Sequence, residues 1–171
     1  MSFTFKGRVW KFGDNISTDL LKPQITRVKN MTNSDAAKYV MSTNRPGWVD
    51  QVEVGDIIVG GKNFGCGSSR LAIGPIEELH ISCIVADSIA RIFFRNAINY
   101  GFPVLIAPGI TNFCQEGDVL RINVITGVIE NVTTKKEMRG EPLPEDSPPM
   151  KILKAGGILE KLNKEFTPNT P

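Results

Sequence analysis

Histidine occurs once in this chain, at position 80, and cysteine three times, at positions 66, 83 and 114. Three thiols at wide spacing are an odd number, which argues against a disulfide framework, and they form no C-x-x-C metal knuckle. They read as free thiols, with Cys83 a core residue inside the apolar run Ile81-Ser82-Cys83-Ile84-Val85-Ala86 and Cys66 inside a glycine-rich loop. No metal site is expected in this chain. His80 suits a helix-end or surface role; the competing reading pairs it with a serine as a hydrolase. Long apolar runs are missing too, and Met1-Ser2-Phe3-Thr4-Phe5-Lys6 lacks the pattern of a signal peptide. The expected location is therefore cytoplasmic, with no membrane partner. Neither charge sign dominates: 20 Lys plus Arg stand against 18 Asp plus Glu, a net +2 with no basic block. Nucleic acid is not an expected partner. Internal repeats are absent as well.

What is present suits one well-packed core, since 171 residues with 41% hydrophobic content are enough for one domain and few for two. Thr4 to Trp10 reads as a strand, and Phe12-Gly13-Asp14-Asn15 as a turn. Ile16 to Arg27, polar and interrupted by Pro23, reads as an extended loop. Asn33 to Met41 carries cap residues followed by helix formers, and Arg45-Pro46-Gly47-Trp48 ends that helix. The next elements alternate: strand 57–60, glycine loop, helix near 69–79, strand 81–86, helix 88–100, strand 103–107. That order is βαβαβ and implies parallel strands with right-handed crossovers. In the helix over 88–100, Asp87 and Ser88 offer N-caps, Ile89, Ile92, Phe93, Ala97 and Tyr100 repeat at helical spacing, and Gly101 and Pro103 stop it. Its other face carries Arg91, Arg95, Asn96 and Asn99, a solvated surface or a wall for a partner or an active site. Beyond Pro108, the period-two runs 119–124 and 128–132 predict a hairpin. The proline-rich stretch 141–149 predicts an exposed connector, and Met150 to Phe166 a helix broken at Gly156-Gly157. The fold class is α/β: one domain over residues 1–166, with a central βαβαβ unit, an extra hairpin, a C-terminal helix and a tail at 167–171.

One stretch stands apart: Gly60-Gly61-Lys62-Asn63-Phe64-Gly65-Cys66-Gly67-Ser68-Ser69-Arg70. Four glycines in eight residues let backbone amides approach a ligand without Cβ clashes. If a helix starts near Ser68, its free N–H groups favour an anion, and Arg70 can hold a carboxylate bidentately. The spacing fits neither a P-loop, nor a dinucleotide fingerprint, nor a nucleophile elbow. The plainer alternative is a glycine-rich turn capped by serine.

Three segments together carry a family resemblance: Gly61 to Arg70; Ser88-Ile89-Ala90-Arg91-Ile92-Phe93-Phe94-Arg95-Asn96-Ala97-Ile98-Asn99-Tyr100-Gly101; and Gly13-Asp14-Asn15-Ile16-Ser17-Thr18-Asp19. They resemble the small, swivelling subunits of the aconitase superfamily, above all those of the 3-isopropylmalate dehydratase family, and the likeness extends over nearly the whole chain. The resemblance implies a swivelling β/β/α domain and a hydro-lyase that isomerises a hydroxy dicarboxylic acid by removing water and adding it back. It also implies a 4Fe-4S cluster held by a partner large subunit and none held by this chain. Ser68 would be the catalytic base and Arg70 would bind a substrate carboxylate. Ser69, Thr18 and Asp19 would assist binding, Arg27 would serve a second carboxylate, and Gly65 and Gly67 would shape the loop backbone. Two departures from the family pattern stand out. Leu71-Ala72-Ile73 follows Arg70 where Glu-His-Ala is usual, and Gln24-Ile25-Thr26-Arg27 replaces the usual substrate-selecting sequence. Homoaconitate, dimethylmalate or citramalate chemistry therefore stays open, as does a non-catalytic carboxylate-binding subunit.

Overall fold

The computed structural model describes residues 3–67 and 71–166; Ser68, Ser69 and Arg70 lie outside them, as does the expected tail at 167–171. Seven strands form one sheet in the order β4-β3-β2-β1-β5-β6-β7. They are β1 (Thr4–Lys11), β2 (Ile57–Gly60), β3 (Cys83–Ala86), β4 (Val104–Ile106), β5 (Val119–Asn123), β6 (Val128–Asn131) and β7 (Lys136–Arg139). Strands β1 to β4 run parallel, with Val9 opposite Ile57, Ile57 opposite Cys83 and Ile84 opposite Val104. Strands β5 to β7 join antiparallel beyond β1, with Phe5 opposite Ile122 and Ile129 opposite both Ile122 and Met138. The two central strands, Ile57-Ile58-Val59-Gly60 and Cys83-Ile84-Val85-Ala86, are buried at every position, as parallel strands covered on both faces must be. β5 instead alternates buried and solvent-facing residues. The expected α/β class and its βαβαβ unit are borne out, and the hairpin is a three-stranded meander.

Eight α-helices, among the described residues, and a short 3-10 helix at Val49–Gln51 complete the fold: α1 (Thr18–Leu21), α2 (Gln24–Val28), α3 (Asn33–Ala37), α4 (Ile73–Glu78), α5 (Arg91–Tyr100), α6 (Ile110–Phe113), α7 (Pro148–Ala155) and α8 (Ile158–Phe166). The segment expected as an extended loop, 16–27, holds α1 and most of α2 on either side of Pro23, which sits at the N-cap of α2. The helix expected near 69–79 begins only at Ile73. Pro75 explains the late start, because a residue with no N–H and a fixed φ is tolerated only in the first turn.

Helix α5 packs against α4, α7 and α8, while α6 contacts β2 and β3. It starts at Arg91, three residues later than its apparent caps, because Ser88 to Ala90 continue extended and Asp87 and Ser88 are used elsewhere. The Asp87 carboxylate accepts from the Gly109 N–H and from the Thr111 hydroxyl, each at 2.5 Å. Phe93, Ala97 and Ile98 form its buried stripe; Ile92 and Tyr100, expected in that stripe, are solvent-facing. Gly101, at φ 81°, ends the helix in the left-handed region as its position requires. The C-terminal helix breaks at Gly156, also left-handed, and α7 opens at Pro148 with the Ser147 hydroxyl accepting from the Met150 N–H.

Candidate functional site

β1, β2 and β3 are neighbours and parallel, so the connectors that leave them emerge side by side at one edge of the sheet. In open α/β sheets this carboxyl edge is where ligands bind. The middle connector is the glycine loop. On one side it is laced to the connector after β1: Gly61 N–H to Gly13 O at 3.1 Å, Asn15 N–H to Lys62 O at 2.8 Å, Gly65 N–H to Ile16 O at 2.7 Å and Thr18 N–H to Cys66 O at 2.8 Å. Side chains add the Lys62 N–H to Asp14 Oδ1 at 2.7 Å and Asn63 Nδ2 to Asn15 Oδ1 at 2.9 Å. On the other side the loop is tied to the connector after β3. Asn63 N–H donates to Ser88 Oγ at 2.8 Å, Phe64 N–H to Ser88 O at 3.0 Å, and Ala90 N–H to Phe64 O at 2.8 Å. The loop thus extends the sheet as the middle member of an irregular three-stranded continuation.

Aromatic packing fixes its height. Phe64 is fully buried and meets Phe93 of α5 edge-on, centroids 5.6 Å apart. Gly65, at φ +76°, lies so close to that ring that a Cβ there would come 2.2 Å from Phe93 Cγ. Gly67, at φ +82°, faces the connector after β1, where a Cβ would lie 3.2 Å from Thr18 Oγ1. Loop and connector therefore meet where Thr18 faces the backbone that leads into Ser68.

Thr18 is 3% exposed and, among the described residues, its hydroxyl has no hydrogen-bond partner. A buried polar atom left without a partner costs about 1–3 kcal/mol, so this one invites a ligand or a neighbour. Asp19 follows, exposed, in the first turn of α1. Arg27 is exposed in the last turn of α2. Of the expected site residues, the structure brings Thr18, Gly65 and Gly67 together; Ser68, Ser69 and Arg70 fall outside the described residues. Sequence reasoning missed Asn15, Asn63, Ser88 and Phe93 as the residues that hold the loop. The Gly13-Asp14-Asn15 turn and the Lys62-Asn63 pair carried the only local hint, as residues that tolerate a positive φ.

His80 does not belong to this face. It is exposed at the end of α4, and its carbonyl accepts from the Gly55 N–H at 2.9 Å, just ahead of β2. That is the opposite edge of the sheet from the loop, so the hydrolase reading lacks its base. Cys83 and Cys114 are buried, and burial pushes their thiols up to about 12 and about 11. Cys66 sits half-buried in the loop. No group of three or more His, Cys, Asp or Glu among the described residues could hold a metal ion. No helix among the described residues is long and apolar enough to cross a membrane.

Beside the connector after β1, an open cleft of about 560 Å³ is lined by Lys11, Asp14, Thr111, Asn112, Gln115 and Glu116, among others. Arg45 reaches Glu116 from outside it with a bidentate pair at 2.7 and 2.6 Å, its guanidinium 4.8 Å from the Trp10 ring centroid. Hydrogen bonding from Arg45 holds the Glu116 carboxyl below the usual carboxylate range.

This chain belongs to the aconitase C-terminal domain family, whose model matches residues 14–107, from the first connector through β4. More narrowly, it is 46% identical over 168 residues to the isopropylmalate/citramalate isomerase small subunit of Methanocaldococcus jannaschii, covering 97% of this chain and 98% of that protein. It is 41% identical over 169 residues to 3-isopropylmalate dehydratase small subunit 1 of Methanopyrus kandleri, covering 96% of each. The corresponding small subunit 1 of Thermotoga maritima is 46% identical over 162 residues, covering 93% of this chain and 95% of that one. The crystal structure of 3-isopropylmalate dehydratase (leuD) from Methanocaldococcus jannaschii superposes with a TM-score of 0.87 at 34% identity over 95% of each chain.

Proposed function

We propose that this chain is the small subunit of a heteromeric hydro-lyase of the 3-isopropylmalate dehydratase type, acting in leucine biosynthesis on a hydroxy dicarboxylic acid. The observation that carries the proposal is the junction of Thr18 and Gly67 at the carboxyl edge of the parallel strands, with Ser68-Ser69-Arg70 next in the chain. Small subunits of that name from Methanopyrus kandleri and Thermotoga maritima share 41% and 46% identity with it over nearly their full length.

In this reading Ser68 takes the proton from the carbon next to the one bearing the hydroxyl, and Arg70 holds a substrate carboxylate through its two-pronged guanidinium. Ser69 and Asp19 contribute further polar contacts. Thr18 supports the assignment because its buried hydroxyl can donate to a carboxylate oxygen that arrives between the two connectors. Arg27, exposed on α2, reaches for the second carboxylate. A large subunit covers the site, excludes water and carries the 4Fe-4S cluster, whose Lewis acidity would serve departure of the hydroxyl. A serine is a poor base in water, so exclusion of solvent and nearby positive charge are needed to favour its alkoxide. The isomerase name of the Methanocaldococcus relative supports citramalate as a second substrate.

The test combines the chain with a cluster-loaded large subunit of this family and follows the absorbance of the unsaturated intermediate with isopropylmalate, citramalate and longer hydroxy acids. Turnover of isopropylmalate is expected, and Ser68→Ala should reduce kcat at least about a hundredfold. Turnover unchanged by that substitution would remove Ser68 from the chemistry. Carboxylate binding and subunit pairing with no turnover of any substrate would favour a non-catalytic subunit.

A further inference from the structure

Two asparagines face each other across the gap between the first connector and the glycine loop. Asn15 and Asn63 both adopt left-handed backbone, at φ 56° and 58°, and both are exposed. Their side chains bond directly, Asn63 Nδ2 donating to Asn15 Oδ1 at 2.9 Å. Each is also a rung in the lacing: the Asn15 N–H donates to Lys62 O, and the Asn63 N–H donates to Ser88 Oγ. Asn63 therefore touches both flanking connectors. Asparagine tolerates the left-handed region better than other side chains, yet glycine tolerates it best, and this chain uses glycine at ten other described positions with positive φ. Conformational preference alone would be met by glycine at 15 and 63. An amide-to-amide bond needs asparagine at both.

We propose that Asn15 and Asn63 are positioning residues, an amide clip that fixes the segment carrying Thr18 and Asp19 against the loop that ends at Gly67. Without it, the Gly61–Gly13, Asn15–Lys62, Gly65–Ile16 and Thr18–Cys66 backbone bonds and the Lys62–Asp14 bond still join the two segments, but Asn63 loses its direct tie to the first connector and the two turns can shift relative to each other by more than the clip allows. A displacement of that kind passes directly to the approach of Thr18 to Gly67, where a Cβ on Gly67 would stand 3.2 Å from Thr18 Oγ1. In the dehydratase reading, on which the kinetic part of this inference rests, a misplaced connector would hold the substrate at the wrong distance from the base. Loss of alignment lowers kcat more than it weakens binding.

Glycine substitutions isolate the clip, since Asn15→Gly and Asn63→Gly keep the left-handed backbone without strain and remove only the amides. Both variants should melt at or above the wild-type Tm. In the assembled enzyme each should lower kcat about fivefold, with KM within about twofold. The double variant should be no worse than either single one, as expected when both residues make one bond. Asn63→Asp should retain near wild-type kcat, because the Asn15 amide can rotate to donate to the new carboxylate. Independently of any turnover, hydrogen exchange of the isolated chain should speed up at the Gly65 and Thr18 amides in either glycine variant and stay slow in Asn63→Asp. Wild-type exchange at both amides in the two glycine variants would overturn the clip, as would kcat losses that multiply in the double variant. If the wild-type chain turns over no hydroxy acid, the functional proposal fails by itself while the exchange measurement still decides the clip.

Discussion

Replacing Gly65 by alanine tests the packing that sets the loop's height. A Cβ at this position would lie 2.2 Å from Phe93 Cγ, 2.5 Å from Phe93 Cβ and 2.7 Å from Phe93 Cδ1. A change of χ1 at Phe93 moves the whole ring and relieves the first and third contacts but not the second, because the Phe93 Cβ is fixed by the backbone of α5. Loop and helix must therefore separate. Overpacking of a well-filled interior costs about 1–3 kcal/mol, and the left-handed backbone at φ +76° adds about 1–2 kcal/mol for a side chain bearing a Cβ. The expected total for Gly65→Ala is about 2–5 kcal/mol. Gly67→Ala is the internal control: it carries the same backbone penalty at φ +82°, but its nearest neighbour, Thr18 Oγ1, stands 3.2 Å away. Its expected cost is about 1–2 kcal/mol. Urea unfolding of the isolated chain, followed by tryptophan fluorescence and circular dichroism, measures both. Equal losses for the two variants would refute the argument, since the difference between them is the contact with Phe93.

Two further outcomes follow from the charges and thiols. The Glu116 carboxylate is stabilised by Arg45, so its contribution is present above the unfolded-state value near about 4.3 and is lost as pH falls through the lower folded-state value. Glu116→Gln should cost under about 1 kcal/mol at pH 7, the pair being partly exposed, and progressively less as pH falls below the unfolded-state value; a cost that does not change with pH over that range would contradict the assignment. Alkylation at about pH 8 should label Cys66 first, with Cys83 and Cys114 reacting only after denaturant is added, because burial both hides them and raises their thiols. Mass spectrometry of native and unfolded protein reads this directly, and equal labelling rates for the three would contradict the packing.

Regular, apolar elements were legible from the amino-acid pattern because burial itself writes the pattern. The βαβαβ core follows from runs such as Ile57-Ile58-Val59, and α5 follows from Phe93, Ala97 and the stop at Gly101. What escaped was made of polar or very short pieces. β7, Lys136-Glu137-Met138-Arg139, is an edge strand whose charges protect it from pairing with another chain, and a charged strand carries no hydrophobic alternation. α1 and α2 span too few residues for a helical period to show. The caps foreseen for α5 are real hydrogen-bonding groups with other tasks, Ser88 toward Asn63 and Asp87 toward Gly109 and Thr111. For the candidate site, glycine spacing and the Thr18-Asp19 pair singled out two segments that the structure places side by side. The lacing that brings Thr18 to Gly67 depends on contacts about fifty residues apart along the chain, which no local reading contains.

The place of β1 between β2 and β5 has a consequence for how the protein is made. Its residues pair with Ile57 to Val59 on one side and with Val119 to Asn123 on the other. Of the strands described, β1 therefore waits longest along the chain for its second neighbour, since more than a hundred residues separate Lys11 from Val119. Until then Phe3, Phe5, Val9 and Trp10 have no finished sheet to enter. The pairing of β1 with β5 is thus the most non-local step in forming the sheet, the kind of contact that slows folding.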